Sequence, residues 1–354
     1  MQEIDKKFLF DYLNAYSPVS QEVEGQKVWA DYVKEFADEL HDDNYGNVWA
    51  VLKSKNPDAK KVVIEAHADE ISFMVSNITS DGFLHVVKNG GSDPLIAPSK
   101  RVVVHTRKNG KIPGYFGHIA IHLRKAEDKV TLKNITVDLG VDSKEKVKEL
   151  GVEVGNIITF NDQLEEIGDY YVGKSLDNKI GGFVIARTLK RLKESGAELP
   201  FDLYVVNAVQ EEVGLHGAKI IAQTIKPDLA LVIDVCHNTN TPGIDKNENG
   251  DVKGGDGPAL ESTAQNHRGF NEFIRSIAEE KEIKYQVTIG SFGNDTMGFF
   301  LNGGSVTAIL GLPLKYMHST VESAHKDDVE STIDLYYNVL TNLPPDLNFK
   351  YHNF

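Results

Sequence analysis

Two adjacent glutamates, Glu211 and Glu212, follow an apolar run near the middle of the chain. The run, residues 203–209, carries no charge and is rich in β-branched and aromatic side chains, which predicts a buried strand of a parallel sheet. Ligands of open α/β sheets bind beyond the carboxyl ends of the strands, so the two glutamates are expected where a ligand or substrate would bind. Adjacent carboxylates repel each other unless a proton or a cation intervenes. A divalent metal would remove this conflict, because one glutamate could bind it while its neighbour, pointing the opposite way, faces an activated water molecule.

Further polar residues stand at predicted strand ends or helix starts, and they come from separate elements: His67, Asp69, Asp177, Asp234 and His318. Strand ends of a parallel sheet share one edge, so we expect these residues and the two glutamates to converge. Imidazole and carboxylate without thiolate suit Zn²⁺, Co²⁺ or Mn²⁺. The carboxylates of Asp177, Glu212 and Asp234 would nearly neutralise two divalent ions and leave about one positive charge, which favours two metals over one.

Each candidate also has an ordinary structural interpretation. The glutamate pair could be a solvated loop feature, and the two histidines could be structural. Asp177 could cap the helix that follows it, and Asp234 could form an Asx-turn. Asp69 could be a solvated acid, or it could accept the second ring N–H of His67 and so fix the tautomer of a metal ligand.

The composition excludes several classes of protein. The 354 residues are 41% hydrophobic and 25% charged, as expected of a globular chain with one large domain and a smaller one. The chain has 38 basic and 52 acidic residues, a net charge of −14 and no basic run, so nucleic acid is not an expected partner. Cys236 is the only cysteine, which excludes an intrachain disulfide and a thiolate-rich metal site. We find no signal peptide or membrane span in the sequence and predict a cytoplasmic protein with no membrane partner.

The order of predicted elements indicates an α/β protein with an insertion. Two amphipathic helices, the second over about residues 20–40, precede two strands. Short alternating runs and turn signals then replace the α/β pattern, which returns near residue 171 and includes a strand at 229–234. We therefore predict a catalytic domain from residues 1–71 and 167–354, with an inserted β-rich domain at 72–166.

Six blocks of the sequence, taken together, resemble a known family. They are EAHADEI at 65–71, GKSLDNKIGG at 173–182, VQEEVG at 209–214, LVIDV at 231–235, GNDT at 293–296 and YMHS at 316–319. In this order they resemble the dinuclear-metal aminopeptidases related to glutamyl aminopeptidase and the tetrahedral aminopeptidases, and the resemblance runs nearly end to end. It implies a zinc-exopeptidase-like fold, a mixed central sheet with helices on both faces, and a dimerisation role for the β-rich insert.

The resemblance also assigns roles to the candidate residues. His67, Asp177 and Asp234 would hold one metal, Asp177, Glu212 and His318 would hold the other, and Asp177 would bridge. Glu211 would be the general base, and we place Asp69 beside it as the second residue serving catalysis. Zinc or cobalt would be the metals, peptides the substrates, and a homo-oligomer, either a dimer or a dodecamer, the assembly.

The function predicted from these residues is metal-assisted hydrolysis of peptides from their amino terminus. One alternative is another metallohydrolase on the same scaffold, such as a carboxypeptidase, a deacylase or a glycosidase, and a second is a non-catalytic assembly protein. A glycosidase would need Glu211 and another acid free of metal. A preference for glutamyl substrates would need a basic residue in the pocket for the first side chain, for which Lys253, Arg268 and Lys315 are the candidates.

Overall fold

A computed structural model of the chain describes residues 1–125, 129–290 and 293–352. Its helices are α1 (Glu3–Asn14), α2 (Val23–Val33), α3 (Lys144–Glu149), α4 (Leu176–Ser195), α5 (His216–Ile225), α6 (Lys246–Asn249), α7 (Arg268–Glu280), α8 (Thr296–Gly303) and α9 (Lys326–Asn342). Its strands are β1 (Glu39–Asp42), β2 (Val48–Leu52), β3 (Lys61–His67), β4 (Ser72–Ile78), β5 (Leu84–Asn89), β6 (Arg101–Thr106), β7 (Gly110–Gly117), β8 (Thr136–Asp138), β9 (Ile157–Phe160), β10 (Glu165–Ile167), β11 (Tyr170–Gly173), β12 (Asp202–Ala208), β13 (Leu229–His237), β14 (Ala259–Ser262), β15 (Gln286–Ile289), β16 (Val306–Lys315) and β17 (Glu322–His325).

The large sheet has parallel strands at its centre and antiparallel strands outside them. Its order is β1-β2-β12-β3-β13-β16-β17-β11-β10, and β14 joins it through β16 with β15 alongside. The four strands β12, β3, β13 and β16 run parallel, whereas β2 and β17 flank them in the antiparallel sense. The predicted mixed sheet is confirmed, and one edge of it gathers the carboxyl ends of β3, β12 and β13.

Alternating apolar side chains explain why helices cover both faces of this sheet. On β12, Leu203 and Val205 belong to a core that includes residues of α1, α2, α4, α7 and α9. Val206 and Ala208 point the other way, into a smaller core with residues of α5 and α8. Successive strand residues face opposite sides, so a strand with apolar side chains on both faces requires a cover on each side.

The β-rich insert forms a second, smaller sheet that closes on itself. The six strands β4 to β9 form a barrel in the order β4-β5-β8-β7-β6-β9. The barrel is filled by its own apolar cluster, which includes Phe73, Leu84, Phe116 and Ile158. Strand β10, which begins at Glu165, already pairs with β11 in the large sheet. The domain border at 166/167 stays a prediction, and residues 126–128 of the predicted insert lie outside the described residues.

Two elements differ from their predictions. Helix α2 ends at Val33 rather than near residue 40, and Glu39–Asp42 forms β1. Backbone hydrogen bonds to β2 supply the partner that favours a strand there. Strand β13 does not end at Asp234 but continues to His237, because β16 pairs with it along the whole length. The described pairing of β13 with β3 extends only to Val232, so Asp234 lies where this neighbour has diverged. Among the described residues, we find no helix with the length and apolarity to cross a membrane.

Candidate active site

The predicted site residues lie on segments that meet at the carboxyl edge of the large sheet. His67 is the last residue of β3, and Asp234 lies in the second half of β13. Asp177 lies at the start of α4, and His318 lies between β16 and β17. The two glutamates follow β12 in the loop that leads into α5. Convergence of these five segments is the outcome expected of an open α/β sheet.

The first group of potential metal ligands, called the first ligand group below, consists of His67, Asp177 and Asp234. The Nε2 atom of His67 lies 3.2 Å from Oδ1 of Asp177 and 3.7 Å from Oδ1 of Asp234. One donor atom from each of the three residues lies within 4.8 Å of the others. Because bonds from zinc to nitrogen and oxygen are about 2.0–2.2 Å long, one ion could contact all three atoms.

The second ligand group consists of Asp177, Glu212 and His318. The Nε2 atom of His318 lies 3.3 Å from Oδ2 of Asp177 and 3.3 Å from Oε1 of Glu212. Asp177 therefore presents Oδ1 to the first group and Oδ2 to the second. The N-cap of α4 is Ser175, and Asp177 and Asn178 have non-helical dihedral angles at a kink inside the helix. Among the described hydrogen bonds, none runs from a backbone N–H of α4 to the carboxylate of Asp177.

Glu211 lies beside the first ligand group without belonging to it. Its Oε2 atom is 3.9 Å from Nε2 of His67, and its side chain lines the cavity next to the cluster. Within the described part of the chain, it is in neither group of potential metal ligands. The two adjacent glutamates therefore occupy different environments, although they lie in a turn after β12 and not in the extended segment that the sequence predicted.

Asp69 is buried and binds the backbone of both glutamates. Its Oδ1 accepts the N–H of Glu211 at 3.0 Å and its Oδ2 accepts the N–H of Glu212 at 3.1 Å. Its Oδ1 also lies 3.5 Å from Nδ1 of His67, which is within ion-pair range but longer than a well-formed hydrogen bond. With 0% of Asp69 exposed, the interpretation as a solvated loop acid is wrong.

Sequence reasoning missed Glu322, a buried residue that supports both groups. Its Oε1 accepts the backbone N–H of His318 at 2.7 Å, and its Oε2 accepts the backbone N–H of Asp177 at 3.1 Å. The residue lies in β17 and is 2% exposed. No local pattern distinguishes it from a surface glutamate, because its partner Asp177 lies 145 positions away in the sequence.

Gly91, which lies between the barrel strands β5 and β6, also contributes to the site. The carbonyl oxygen of Gly91 lies 3.3 Å from Nδ1 of His318, so donation from Nδ1 would leave Nε2 free for a metal. A Cβ atom at Gly91 would lie 2.4 Å from Cε1 of His318, so only glycine permits this close approach. The Asn-Gly-Gly sequence at this point predicts a turn but not this contact.

A buried ion pair fixes the segment that precedes Asp177. Nζ of Lys174 lies 2.5 Å from Oε2 of Glu70, and the hydroxyl of Ser175 donates to the same oxygen. The backbone N–H of Ser17 donates to the other oxygen at 2.8 Å. Both charged residues belong to the sequence blocks that carry the resemblance, but neither received a role in the sequence-based prediction.

Crowding changes the acidity of the carboxylates in the cluster. Burial raises the pKa of Glu211 well above its usual value, and the charge of Asp234 adds to the rise while His67 opposes it. Burial likewise raises the pKa of Asp234 to about 7, against the opposing charge of His67. The pKa of Glu212 also rises because of burial, although a hydrogen bond with His318 opposes the shift.

The pKa values of the two imidazoles also rise, but because of their carboxylate partners rather than because of burial. Hydrogen bonds to Asp177 and Glu212 raise the pKa of His318 to about 11. Burial would lower the pKa of His67, but hydrogen bonds to Asp177 and Asp69 raise it well above its usual value. The cluster thus retains protons in order to balance buried negative charge. Divalent cations would supply that charge in place of the protons, so the residues present fit a divalent metal site.

The cluster opens into a cavity of about 1260 Å³. Both ligand groups and Glu211 line it, together with residues of β14, β15 and the loop after β13. Cys236 and His237, the last two residues of β13, also line this cavity. A cleft of this size beside a cluster of perturbed titratable groups is the usual location of an active site.

Comparison with known proteins agrees with this geometry. The sequence profile of the M42 glutamyl aminopeptidase family matches residues 46–335. The lysyl aminopeptidase of Pyrococcus furiosus is 33% identical over 89% of this chain and 90% of its own length. The structure of an aminopeptidase from the archaeon Desulfurococcus kamchatkensis superposes with a TM-score of 0.90 at 32% identity, over 98% of this chain and 97% of that one. A TET peptidase from Pyrococcus horikoshii can assemble into a tetrahedron or a large octahedral shell. Its structure superposes with a TM-score of 0.84 at 28% identity, over 96% of this chain and 100% of that one.

The family match covers more than half of the chain, and the similarity to the Pyrococcus furiosus relative extends along most of both sequences. These findings confirm the resemblance inferred from the six sequence blocks. They also agree with the buried cluster of carboxylates and imidazoles at the edge of the sheet. The chain belongs to the M42 glutamyl aminopeptidase family of metal-dependent aminopeptidases.

Proposed function

We propose that the chain removes the amino-terminal residue from peptides at a site that holds two metal ions. The observation that carries this proposal is the carboxylate of Asp177, whose two oxygens lie 3.2 Å from Nε2 of His67 and 3.3 Å from Nε2 of His318. His67, Asp177 and Asp234 hold one ion, and Asp177, Glu212 and His318 hold the other. Zinc or cobalt is the proposed metal, because the ligands are nitrogen and oxygen atoms only.

Glu211 is the proposed general base. When bound, the metal ions would polarise the scissile carbonyl and make a water molecule more acidic. Glu211 accepts the proton of that water and delivers it to the leaving amine. Three observations support this role: Glu211 lies beside the first ligand group, it belongs to neither group, and burial raises its pKa well above its usual value. Asp69 acts as a positioning residue, because it binds the backbone of Glu211 rather than a reacting atom.

The chain is also proposed to act as a homo-oligomer, a dimer or a dodecamer, with the region 72–166 as the dimerisation domain. The likeness to the Pyrococcus horikoshii TET peptidase, which assembles into closed shells, supports this proposal. Exposed apolar side chains in the same region, including Leu95, Ile121 and Leu123, support it as well. A monomer in light scattering at micromolar concentration would contradict it. The cytoplasmic location stays a prediction from the sequence.

The experiment that tests the proposed reaction compares matched peptides with free and acetylated amino termini, before and after metal removal. We expect hydrolysis of the free peptides only, loss of this activity after chelation, and recovery when Zn²⁺ or Co²⁺ is restored to two ions per chain. Equal hydrolysis of the acetylated peptides would indicate a deacylase or an endopeptidase instead. Hydrolysis of the free peptides that survives complete metal removal would contradict the proposed metal site.

A further inference from the structure

A further buried carboxylate, that of Glu261, lies in the wall of the active-site cavity and has no role in the proposed mechanism. Glu261 belongs to β14, is 4% exposed, and lines the same cavity as the metal-ligand groups. Its carboxylate lies against two glycines. A Cβ atom at Gly290 would lie 1.8 Å from Oε2, and one at Gly311 would lie 2.6 Å from Oε1. Any other residue at either position would displace the carboxylate, so the chain provides the space that the carboxylate occupies.

The carboxylate of Glu261 has no partner within the described residues. Asn266 and Asn271 donate to Glu261, but they donate to its backbone carbonyl oxygen. None of the ion pairs formed by the described residues includes its side chain. Burial raises the pKa of Glu261 to about 8, and the negative charge of Asp234 adds to the rise. An ionised carboxylate is costly to bury unless it is paired, so without a ligand this group keeps its proton near neutral pH, and a cation bound in the cavity would stabilise the ionised form.

The basic residues near the cavity do not provide that charge. Lys219 lines the cavity, but its Nζ donates to the carbonyl of Gly214 at 2.6 Å. Lys246 also lines it and pairs with Asp251 at 2.7 Å. The three residues named as candidates for recognising a glutamyl side chain, Lys253, Arg268 and Lys315, are not among the described residues that line the cavity.

The wall around Glu261 also includes apolar side chains. Val252, Val287 and Ile289 line the cavity together with Glu261. A long side chain with an aliphatic stem and a cationic end would match such a surface, because the stem can cover apolar groups while the charge reaches the carboxylate. An acidic side chain in the same position would be repelled by Glu261.

We propose that Glu261 binds the cationic side chain of the substrate's first residue, so that the enzyme prefers peptides that begin with lysine or arginine. This inference rests on the proposed function, because it assigns the substrate class of the same site. It places the side-chain pocket on the β14–β15 side of the cavity, next to Asp234 and Cys236.

The other possible ligand of Glu261 is the α-ammonium group, which every free amino terminus carries. The two cases differ in their dependence on the substrate side chain. A carboxylate that binds the α-ammonium group supports all substrates equally, whereas one that binds the side chain supports only cationic residues. Lysine and norleucine separate the cases, because norleucine has a similar aliphatic chain without the terminal charge.

The experiment compares kcat/KM of the metal-loaded enzyme for the p-nitroanilides of lysine, norleucine and glutamate in the wild type and in Glu261→Gln. We expect the wild type to favour lysine over norleucine by about 10- to 100-fold, the range expected for a hydrogen bond to a charged group. Glutamate should be the poorest substrate. Glu261→Gln should lose most of the preference for the lysine substrate over the norleucine substrate. Its remaining activity on the norleucine substrate would show that the variant is folded. Glu248→Gln, a change at an exposed acid that lines the same cavity, should leave the ratio unchanged.

Two results would overturn the assignment of Glu261. One is a wild type that hydrolyses norleucine as well as lysine, and the other is an equal loss on both substrates in Glu261→Gln. Calorimetric binding of lysinamide and norleucinamide provides a readout that does not need turnover. If lysinamide binds more tightly than norleucinamide and this difference disappears in Glu261→Gln, the result would support the side-chain pocket. If no peptide were cleaved as well, only the proposed function would fail.

Discussion

The backbone N–H of Glu211 donates to Oδ1 of Asp69 at 3.0 Å. The other oxygen of the same carboxylate accepts the N–H of Glu212 at 3.1 Å, so one buried side chain fixes the backbone of both glutamates. Because Asp69 binds the backbone, it leaves both glutamate side chains free to point into different parts of the site. This arrangement allows two chemically identical neighbours to have separate roles.

We expect Glu211→Gln to keep its metal and to lose turnover by about 10²- to 10⁴-fold, the usual contribution of proton transfer by a positioned side chain. Glutamine retains the shape of glutamate but cannot accept the proton. Metal content by plasma mass spectrometry, measured beside the rate on a peptide with a free amino terminus, tests both halves of the prediction. Loss of a metal ion, or a rate close to wild type, would exclude Glu211 as the general base.

Glu212→Gln is the matched comparison, because it changes the neighbouring residue in the same way. Glu212 lies in the second ligand group, 3.3 Å from Nε2 of His318. We expect this variant to hold less metal than the wild type under dialysis and to recover part of its activity when metal is added in excess. A variant with full metal occupancy would show that Glu212 is not a ligand.

Asp69→Asn should reduce activity by about 10- to 100-fold, the range observed when a residue that supports metal ligands is replaced. Asparagine presents one oxygen and one NH₂ group, so one of the two glutamate N–H groups would face a donor. Rate and metal affinity are the measurements, and Asp58→Asn, at an exposed turn, is the control. Wild-type behaviour of the Asp69 variant would mean that the two hydrogen bonds do not position the glutamates.

Metal binding should release protons at neutral pH, and metal affinity should rise with pH. In the metal-free site, hydrogen bonds to Asp177 and Glu212 raise the pKa of His318 to about 11, so its imidazole is protonated at pH 7. A metal-binding imidazole must be neutral, so the ion displaces this proton. Calorimetric titration in buffers of different ionisation enthalpy measures the number of protons released. Binding that is independent of buffer and of pH between 6 and 8 would contradict the prediction.

Lys174→Met should destabilise the fold by about 3–5 kcal/mol, because it leaves the buried carboxylate of Glu70 without its main counter-charge. Urea unfolding at a fixed protein concentration measures the change in the free energy of unfolding. The control is Lys55→Met, which removes an ion pair whose lysine side chain is 82% exposed and should have little effect. Equal stability of the two variants would show that the buried pair does not stabilise the fold.

The same ion pair predicts the response of the fold to acid. Burial alone would raise the pKa of Glu70, but the charges of Lys174 and Lys179 lower it to about 2, from a usual value of 4.5. A pKa that is lower in the folded state stabilises the fold above about pH 4.5, and this stabilisation is lost as the pH falls toward 2. Unfolding midpoints between pH 3 and 6 should therefore depend less steeply on pH in Lys174→Met than in the wild type. An unchanged slope would assign the acid sensitivity to other carboxylates.

Local sequence patterns were sufficient to identify the elements and the polar residues that follow them. The apolar run before Glu211 predicted a buried strand, and β12 lies there with both faces covered. The strand before His67 and the helix after Asp177 also agree with their predictions, apart from a few residues at their ends. These features are readable because the side-chain periods of strands and helices are set by the local backbone.

Only the tertiary structure decided which charges are buried and which residues they meet. Glu70 meets Lys174, which is 104 positions away in the sequence, and Glu322 binds backbone groups of Asp177 and His318. Glu261 could equally have been a surface residue, and the bend of Glu39–Asp42 into a strand needed the backbone of β2. A short sequence window does not contain the distant partners Lys174 and Asp177, and the free energy of a buried charge or an unpaired strand depends on the partner that folding brings to it. The chemistry of this site is therefore visible in its residue types, whereas its support and its side-chain pocket follow from long-range contacts.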